Sequence, residues 1–184
     1  MRSPANRFLA SAVSFGCLSL SIGLLFAAEE ISPYGKVDPA VSKKVERELS
    51  AFAKDLSRER RLEKKTVFAL LTKYLRKNPQ IYGAAFAFAP REKKGKLIKS
   101  SPYVYRSGEK FIEKELMDSY DYTAPDQKWY VAPVKLGKPA WSEPYYDRGG
   151  GEAWMTTYSI PIYSGGKVRR LIGVVTSDVL IPGK

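Results

Sequence analysis

Apolar residues recur every three or four positions from residue 39 to about residue 77, with charged residues between them. This spacing predicts an amphipathic helix. Asp38 followed by Pro39 is a favourable start, because Asp caps a helix and Pro is tolerated in the first turn. Asn78-Pro79 ends the pattern. We therefore expect one long helix, bent between Ser57 and Lys65, whose apolar stripe packs on a sheet or forms a homodimer seam.

The rest of the chain has the shorter periods and turn residues of β-structure. Hairpin-length connections predict an antiparallel sheet. The expected class is α+β, a central antiparallel sheet of about five strands with the long helix on one face and a pocket on the other. Strands are predicted at Tyr82–Ala89, Ser101–Arg106, the two sides of a hairpin within Trp141–Pro161, and Arg170–Leu180; a short helix at Gln127–Leu136; a basic loop at Pro90–Lys99; and an extended or partly helical connector at Phe111–Tyr122.

The predicted hairpin is unusually rich in aromatic residues. Its first strand runs from Trp141 to Asp147, three glycines turn the chain, and the return strand contains Thr156 and Tyr158. Glycine supplies the positive φ that a tight turn requires, and an Asp at a turn entry can accept hydrogen bonds from the turn. Such aromatic density indicates a pocket wall, while Asp147 could serve only as the turn cap.

One acid interrupts an otherwise apolar strand face near the end of the chain. Asp178 shares that face with Ile172, Val174 and Thr176. A carboxylate among apolar residues needs a partner. The pattern leaves open a ligand contact and a structural hydrogen bond.

Several kinds of chemistry are excluded by composition. The chain contains no His and a single Cys, Cys17, inside its N-terminal apolar stretch. His-based triads and His-ligated metals are therefore excluded. No phosphate-binding glycine motif is present, so no cofactor or metal is implied. Paired carboxylates would permit a hydrolase, but no spacing singles out a pair, and we expect no enzyme activity.

Residues 1–28 have the order of a secretory signal: Arg2 and Arg7, an apolar stretch, then Ala27-Ala28. The apolar stretch is also close to the ~20 residues that span a bilayer, so an uncleaved anchor is the alternative. We expect an exported protein, periplasmic or anchored in the inner membrane. Residues 29–36 are then a linker and residues 37–184 a single domain.

The formal net charge is +12. A basic exported domain could contact anionic lipid or another envelope polymer, although the interleaving of Lys and Arg with acids along the helix favours a solvated face. Nucleic acid is not expected as a partner outside the cytoplasm.

Five segments stand in order along the chain: Asn78-Pro79-Gln80-Ile81-Tyr82-Gly83; Trp129-Tyr130; Trp141-Ser142-Glu143-Pro144-Tyr145-Tyr146-Asp147 with Gly149-Gly150-Gly151; Thr156-Thr157-Tyr158-Ser159-Ile160-Pro161; and Gly173-Val174-Val175-Thr176-Ser177-Asp178-Val179. This ordered set resembles Cache domains, the extracytoplasmic PAS-like (PDC) sensor domains of bacterial chemoreceptors and sensor kinases. The resemblance covers roughly residues 37–180. It implies a small-molecule pocket on the sheet face away from the long helix.

The resemblance also implies a ligand class. Amino-acid-binding Cache domains place an Arg two residues before the Trp-Tyr pair, and Gln127 stands there in this chain. Because an amide cannot replace a guanidinium against a carboxylate, an amine, a cation or a neutral metabolite is favoured over an acid. Asp178 matches the acid that meets an amino group in those domains. The candidate ligand-binding residues are Tyr105, Trp129, Tyr130, Tyr145, Asp147, Thr156, Tyr158 and Asp178.

Two functions remain open at this stage. The chain ends soon after its last predicted strand, so we expect a sensor domain without its own output module, acting through a membrane receptor or kinase partner. The alternative is a structural or interaction protein of the cell envelope whose pocket is vestigial.

Overall fold

The computed structural model of the protein describes residues 37–59, 62–165 and 168–181. The predicted signal segment and linker lie outside these residues. No helix in the described ranges is both long enough and apolar enough to cross a membrane. The described helices are α1 (Pro39–Arg58), α2 (Lys64–Lys77) and α3 (Lys128–Leu136), with a short 3-10 turn at Leu116–Asp118.

The predicted single helix is two helices. Asp38 caps α1 as expected, its Oδ1 accepting hydrogen bonds from the backbone N–H groups of Ala40 and Val41 at 2.7 and 3.2 Å. The backbone is extended at Glu59, so α1 ends there. Phe52 of α1 stacks on Tyr74 of α2 with ring centroids 4.5 Å apart, so the helices lie side by side. The prediction of one bent helix was wrong. Both helices cover the same sheet face with the same apolar spacing, so the spacing does not show where one helix ends and the next begins.

The main sheet is antiparallel and has seven strands in the described ranges, in the order β5-β4-β1-β9-β8-β6, with β7 also pairing with β8. The expected count was about five because β6 and β7 both overlap one predicted strand and β5 was not predicted as a strand. The strands are β1 (Gly83–Phe88), β2 (Arg91–Lys93), β3 (Lys96–Ile98), β4 (Pro102–Ser107), β5 (Lys110–Glu115), β6 (Ala140–Trp141), β7 (Tyr145–Tyr146), β8 (Trp154–Tyr163) and β9 (Leu171–Leu180).

Two segments formed strands where none were predicted. Residues 90–99, expected to be a loop, contain the separate hairpin β2–β3. The connector expected at 111–122 begins with strand β5, which pairs with β4 along its whole length. Four of the six residues of β5 are charged, which suits an edge strand, where one side of the backbone remains unpaired.

One face of the sheet is covered by α1 and α2. Val45 and Leu49 of α1 and Val67 and Leu71 of α2 are fully buried there, against sheet residues that include Val175 of β9. Helix α1 lies over β8 and β9, and α2 lies over β1 and β4. The apolar stripe predicted from the sequence therefore forms the core.

The opposite face is covered by α3 and the segment before it. Tyr122, Trp129 and Tyr130 are buried against Ala85 and Ala87 of β1, whose small side chains leave room for the rings. The face expected to hold a pocket is thus lined by aromatic residues.

Candidate functional site

Strand register brings four residues into one row on the sheet face away from α1 and α2. Gly83 of β1 pairs with Tyr105 of β4 on one side and Asp178 of β9 on the other, and Asp178 pairs with Thr157 of β8. Residues paired in register point to the same face of a sheet. The row therefore has a glycine at its centre, between a tyrosine ring and a carboxylate.

Position 83 requires glycine because the side chains of Tyr103 and Asp178 lie very close to its backbone. A Cβ at this position would lie 2.3 Å from Oη of Tyr103 and 2.8 Å from Oδ2 of Asp178. No real side chain tolerates such contacts without displacement of its neighbours. The glycine lets the Tyr103 hydroxyl and the Asp178 carboxylate meet above β1.

Asp178 is almost completely buried, with 3% of its surface exposed. Its Oδ1 accepts a hydrogen bond from Oγ1 of Thr157 at 2.9 Å. The Thr157 hydroxyl has one hydrogen and donates it to Asp178, so Tyr145 Oη, 2.8 Å from Thr157 Oγ1, is the donor in the next bond. Burial raises the pKa of Asp178 to about 7, and the nearby charge of Asp147 adds to this rise.

Asp147 is the second buried acid. Its Oδ2 accepts from the backbone N–H of Gly151 at 2.7 Å, and its Oδ1 accepts from the Tyr120 hydroxyl at 3.4 Å. Its backbone carbonyl accepts from Gly150 and Glu152. Burial raises its pKa above the ordinary value. Asp147 therefore closes the turn, as the sequence suggested, and also places a carboxylate near Asp178.

We call Asp147, Asp178, Thr157, Tyr103, Tyr120 and Tyr145 the carboxylate cluster. Within the described ranges, neither acid of the cluster forms an ion pair with Lys or Arg; such pairs occur elsewhere, as between Lys64 and Glu115. No group of three metal-ligating side chains occurs among these residues. Two buried acids without an ion pair create a site where a positive charge would be stabilised; the charge of Lys114 acts on Asp147 only from a distance.

Two buried hydroxyl groups, Oη of Tyr103 in the cluster and Oγ of Ser159 near it, have no hydrogen-bond partner of good geometry in the described part of the chain. The Tyr103 hydroxyl nevertheless lies close enough to Asp178 to lower the pKa of that carboxyl. Tyr103 pairs with Ala85 of β1, and Ser159 lies two residues after Thr157 on the same face of β8. A buried hydroxyl without a partner is costly, so both groups are suited to contact a bound polar molecule or water.

Helix α3 contributes the aromatic side of the site. Trp129 and Tyr130 are buried and pack edge to face, with ring centroids 6.0 Å apart. The Trp129 indole N–H donates to Oε1 of Gln127 at 3.1 Å. The amide oxygen at the position of the missing Arg is therefore already engaged within the protein.

The structure divides the sequence-predicted site residues between the two faces. Tyr105, Trp129, Tyr130, Tyr145, Asp147 and Asp178 lie on the face of the carboxylate cluster. Thr156 and Tyr158 do not. The Tyr158 ring packs on Trp141 at 5.1 Å on the helix face, and Thr156 Oγ1 donates to the carbonyl of Ser142. The expectation that these two share a pocket with Asp178 is corrected, because alternation along β8 turns the odd-numbered residues toward Asp178.

Three cluster residues were missed by sequence reasoning: Thr157, Tyr103 and Tyr120. A usable signal existed for Thr157. In a hairpin joining β8 to β9, counting outward from the turn between Tyr163 and Leu171 brings Thr157 opposite Asp178, with one irregularity of register on the way. No comparable signal existed for Tyr120, which reaches Asp147 from a loop.

The chain matches the model of a known family. Residues 67–182 match the family described as methyl-accepting chemotaxis protein-like, first PDC sensor domain. The match begins within α2 and includes the whole of β9. None of the curated proteins matches the chain.

Solved sensor domains share the fold. The extracellular domain of soHK1S-Z6, a predicted histidine kinase, is 27% identical with a TM-score of 0.68, over 77% of this chain and 54% of that one. The corresponding domain of mmHK1S-Z3 is 20% identical with a TM-score of 0.58, over 77% and 52%. The ligand-binding domain of the Pseudomonas aeruginosa PAO1 chemoreceptor PctC, solved with GABA, is 14% identical with a TM-score of 0.51, over 77% and 57%. The chain spans about half the length of these domains.

Proposed function

The chain belongs to the methyl-accepting chemotaxis protein-like family of first PDC sensor domains, and we propose that it senses a small molecule carrying a protonated amine or another compact cation. The proposal goes beyond the family assignment, which establishes a sensor domain and not its ligand. It rests on the carboxylate cluster.

The observation that carries the proposal is the pair of buried acids Asp147 and Asp178, which have no cationic partner within the described ranges. Leaving a buried carboxylate without an ion pair is costly. Here hydrogen bonds, partial protonation and, for Asp147, the more distant charge of Lys114 reduce that cost. A ligand cation would replace these weaker compensations with a direct charge pair. The rings of Tyr103 and Tyr145 would add cation–π attraction.

The same geometry disfavours a carboxylate ligand. A ligand carboxylate brought to the cluster would be repelled by both Asp147 and Asp178, and Gln127 offers no charge to hold it. We infer that an amine without a carboxylate binds better than the corresponding amino acid.

The proposed cellular role follows from the family. We infer that residues 1–28 export the protein or anchor it, that residues 37–184 form the sensor outside the cytoplasm, and that a membrane receptor or sensor kinase reads its occupancy. The extracellular location of the related domains of soHK1S-Z6 and mmHK1S-Z3 supports this assignment.

A thermal unfolding screen of the full-length protein tests the proposal. We expect butylamine, putrescine or choline to raise the melting temperature, and butanol and butyrate to leave it unchanged. Asp178→Asn should abolish the shift while the domain stays folded, because the amide can still accept the Thr157 hydrogen bond. Asp121→Asn, which removes an acid paired with Lys99 on the surface, is the matched control and should retain the shift. Equal shifts from amine and butyrate would contradict the proposal.

A further inference from the structure

The turn between β8 and β9 marks one end of the sheet, and two exposed segments converge there. Tyr163 of β8 pairs with Leu171 of β9 at this turn. The backbone N–H of Ala89 donates to the carbonyl of Ile172 at 2.8 Å, so β1 also ends there. The hairpin β2–β3, which follows β1 directly, therefore starts from the same end as the turn containing residues 168–170.

A third segment reaches the same place from α3. A Cβ built at Gly137 would lie 3.9 Å from Oη of Tyr163, so the loop that follows α3 lies beside the end of β8. We call residues 91–98, 135–138 and 168–170 together the basic end. All fifteen of these residues are exposed.

The basic end has a strong excess of positive charge. Its only acid is Glu92, against eight cations: Arg91, Lys93, Lys94, Lys96, Lys135, Lys138, Arg169 and Arg170. None of the eight forms an ion pair with an acid in the described ranges. In α1, acids are interleaved with the cations, whereas here one acid stands against eight cations, so this end would attract an anionic surface.

The hairpin β2–β3 concentrates this charge at its tip. Lys93 and Lys96 are directly opposite each other in register, and Lys94 and Gly95 form the turn with positive φ values of 52° and 73°. Like charges directly opposite on neighbouring strands are destabilising. Three lysines at one tip therefore cost stability in the free protein, and a bound anionic partner would relieve that cost.

Each segment of the basic end also exposes an aliphatic side chain. Leu97 is 62% exposed, Leu136 54% and Val168 66%, and Ile98 beside Leu97 is 38% exposed. Aliphatic side chains surrounded by Lys and Arg are typical of surfaces that bind at the boundary of an anionic bilayer. Lys is depleted at protein interfaces, whereas five of the eight cations here are Lys, which favours a lipid surface over a protein partner.

We propose that the basic end binds the headgroups of an anionic lipid bilayer. The cations contact the phosphates, and Leu97, Leu136 and Val168 enter the interface beside them. This surface lies at the end of the sheet opposite Asp178, and its binding is independent of the proposed ligand site.

Lysine acetylation of the full-length protein, read by mass spectrometry, tests the contact directly. The protein is mixed with vesicles of phosphatidylcholine alone or of phosphatidylcholine with phosphatidylglycerol. We expect Lys93, Lys94 and Lys96 to be protected by the anionic vesicles only. Lys43, Lys73 and Lys110, which are exposed elsewhere, should react equally with both. Equal labelling of the hairpin in both vesicles would overturn the proposal.

Substitutions separate this contact from membrane binding by any other part of the chain. The measured quantity is the ratio of affinity for anionic vesicles to affinity for neutral vesicles. Replacing Lys93, Lys94 and Lys96 together by Gln should lower this ratio about a hundredfold, because each lysine near an anionic surface contributes about fivefold. Replacing Lys43, Lys73 and Lys110 by Gln makes the same charge change and should leave the ratio near its original value.

The aliphatic residues distinguish a bilayer from an acidic protein or polymer. Leu97→Ser should weaken binding to anionic vesicles and leave binding to soluble polyglutamate unchanged. If polyglutamate protects the hairpin lysines as well as the vesicles do, and Leu97→Ser has no effect on either, the partner is an acidic polymer and the lipid proposal fails.

Discussion

Thr157 donates a hydrogen bond to the buried carboxylate of Asp178 across the β8–β9 pair, with 2.9 Å between Oγ1 and Oδ1. The Tyr145 hydroxyl donates to Thr157 in turn. Asp178 is thus held by a chain of neutral donors and has no charged partner in the described ranges. These hydrogen bonds stabilise the ionised carboxylate but do not neutralise its charge, so a cationic ligand could still pair with it.

The charge of Asp178 should make the free protein less stable as pH rises. Its pKa is raised by burial from 3.8 to about 7, so the folded protein binds more protons than the unfolded chain between these values. Stability then falls as pH rises through this window, by about 4 kcal/mol at most. Urea unfolding at about pH 5 and pH 8 covers the part of this window above pH 5 and should show a loss of about 3 kcal/mol, most of which Asp178→Asn should remove.

The pKa of the surface acid Asp121 is lowered rather than raised, so its charge affects stability in a different pH range. Hydrogen bonds from Lys99 and Thr123 lower its pKa to about 2, so its contribution is lost only in strong acid. Asp121→Asn should therefore leave the change between pH 5 and pH 8 unaltered. If Asp178→Asn keeps the full change of the unsubstituted protein, another group is responsible.

Thr157→Val removes the neutral donor while keeping the shape of the side chain. We expect a loss of about 1–3 kcal/mol above pH 7, where Asp178 is ionised, and a smaller loss near pH 5. Thr156→Val is the matched control on the other face, since it removes a hydrogen bond to the carbonyl of Ser142. Its cost should be the same at both pH values, as measured by urea unfolding. A cost for Thr157→Val that does not change with pH would contradict the assigned bond.

Asp147→Asn should lower the pKa of Asp178. The amide oxygen can still accept from Gly151, so the turn is retained, while the charge that disfavours ionisation of Asp178 is removed. Carboxyl ¹³C chemical shifts followed by NMR through a pH titration measure the change. An unaltered Asp178 titration in a folded Asp147→Asn protein would show that the two acids are not coupled.

Gly83→Ala should destabilise the protein through a defined contact. The new Cβ would lie 2.3 Å from the Tyr103 hydroxyl, and relief of this contact by displacement is expected to cost about 1–3 kcal/mol. Tyr103→Phe removes the clashing oxygen, so Gly83→Ala should cost less in that background. Thermal or urea unfolding of the four proteins measures the coupling. Costs that simply add would show that the ring is displaced without strain.

The sequence was sufficient to single out Asp178 as an acid on a buried strand face, but it did not predict which residues surround it. An acid on a strand face with Val174 and Thr176 stands out because burial of a charge is costly, and the structure places that acid in the buried cluster. Tyr158 was assigned to the same pocket from its aromatic character. Its face depends on the register of β8 with β9, which local pattern alone does not determine.

The helices show the same limit. Periodicity predicted the apolar faces of α1 and α2 correctly, and Asp38 predicted the start. No glycine or proline near Glu59 signals the helix break in the sequence. Since both helices pack on the same sheet, the apolar spacing continues across the break. The tertiary contact between Phe52 and Tyr74 is what shows that the chain turns back and that α2 lies beside α1.

Calorimetric titration of the full-length protein and of Asp178→Asn with butylamine, butanol and butyrate tests the central claim most directly. We predict that the unsubstituted protein binds the amine, more tightly at about pH 8 than at about pH 6 because Asp178 must be ionised, and binds neither the alcohol nor the acid. The Asn variant should bind none of the three. Butylamine binding that survives in Asp178→Asn with its affinity unchanged would contradict the account.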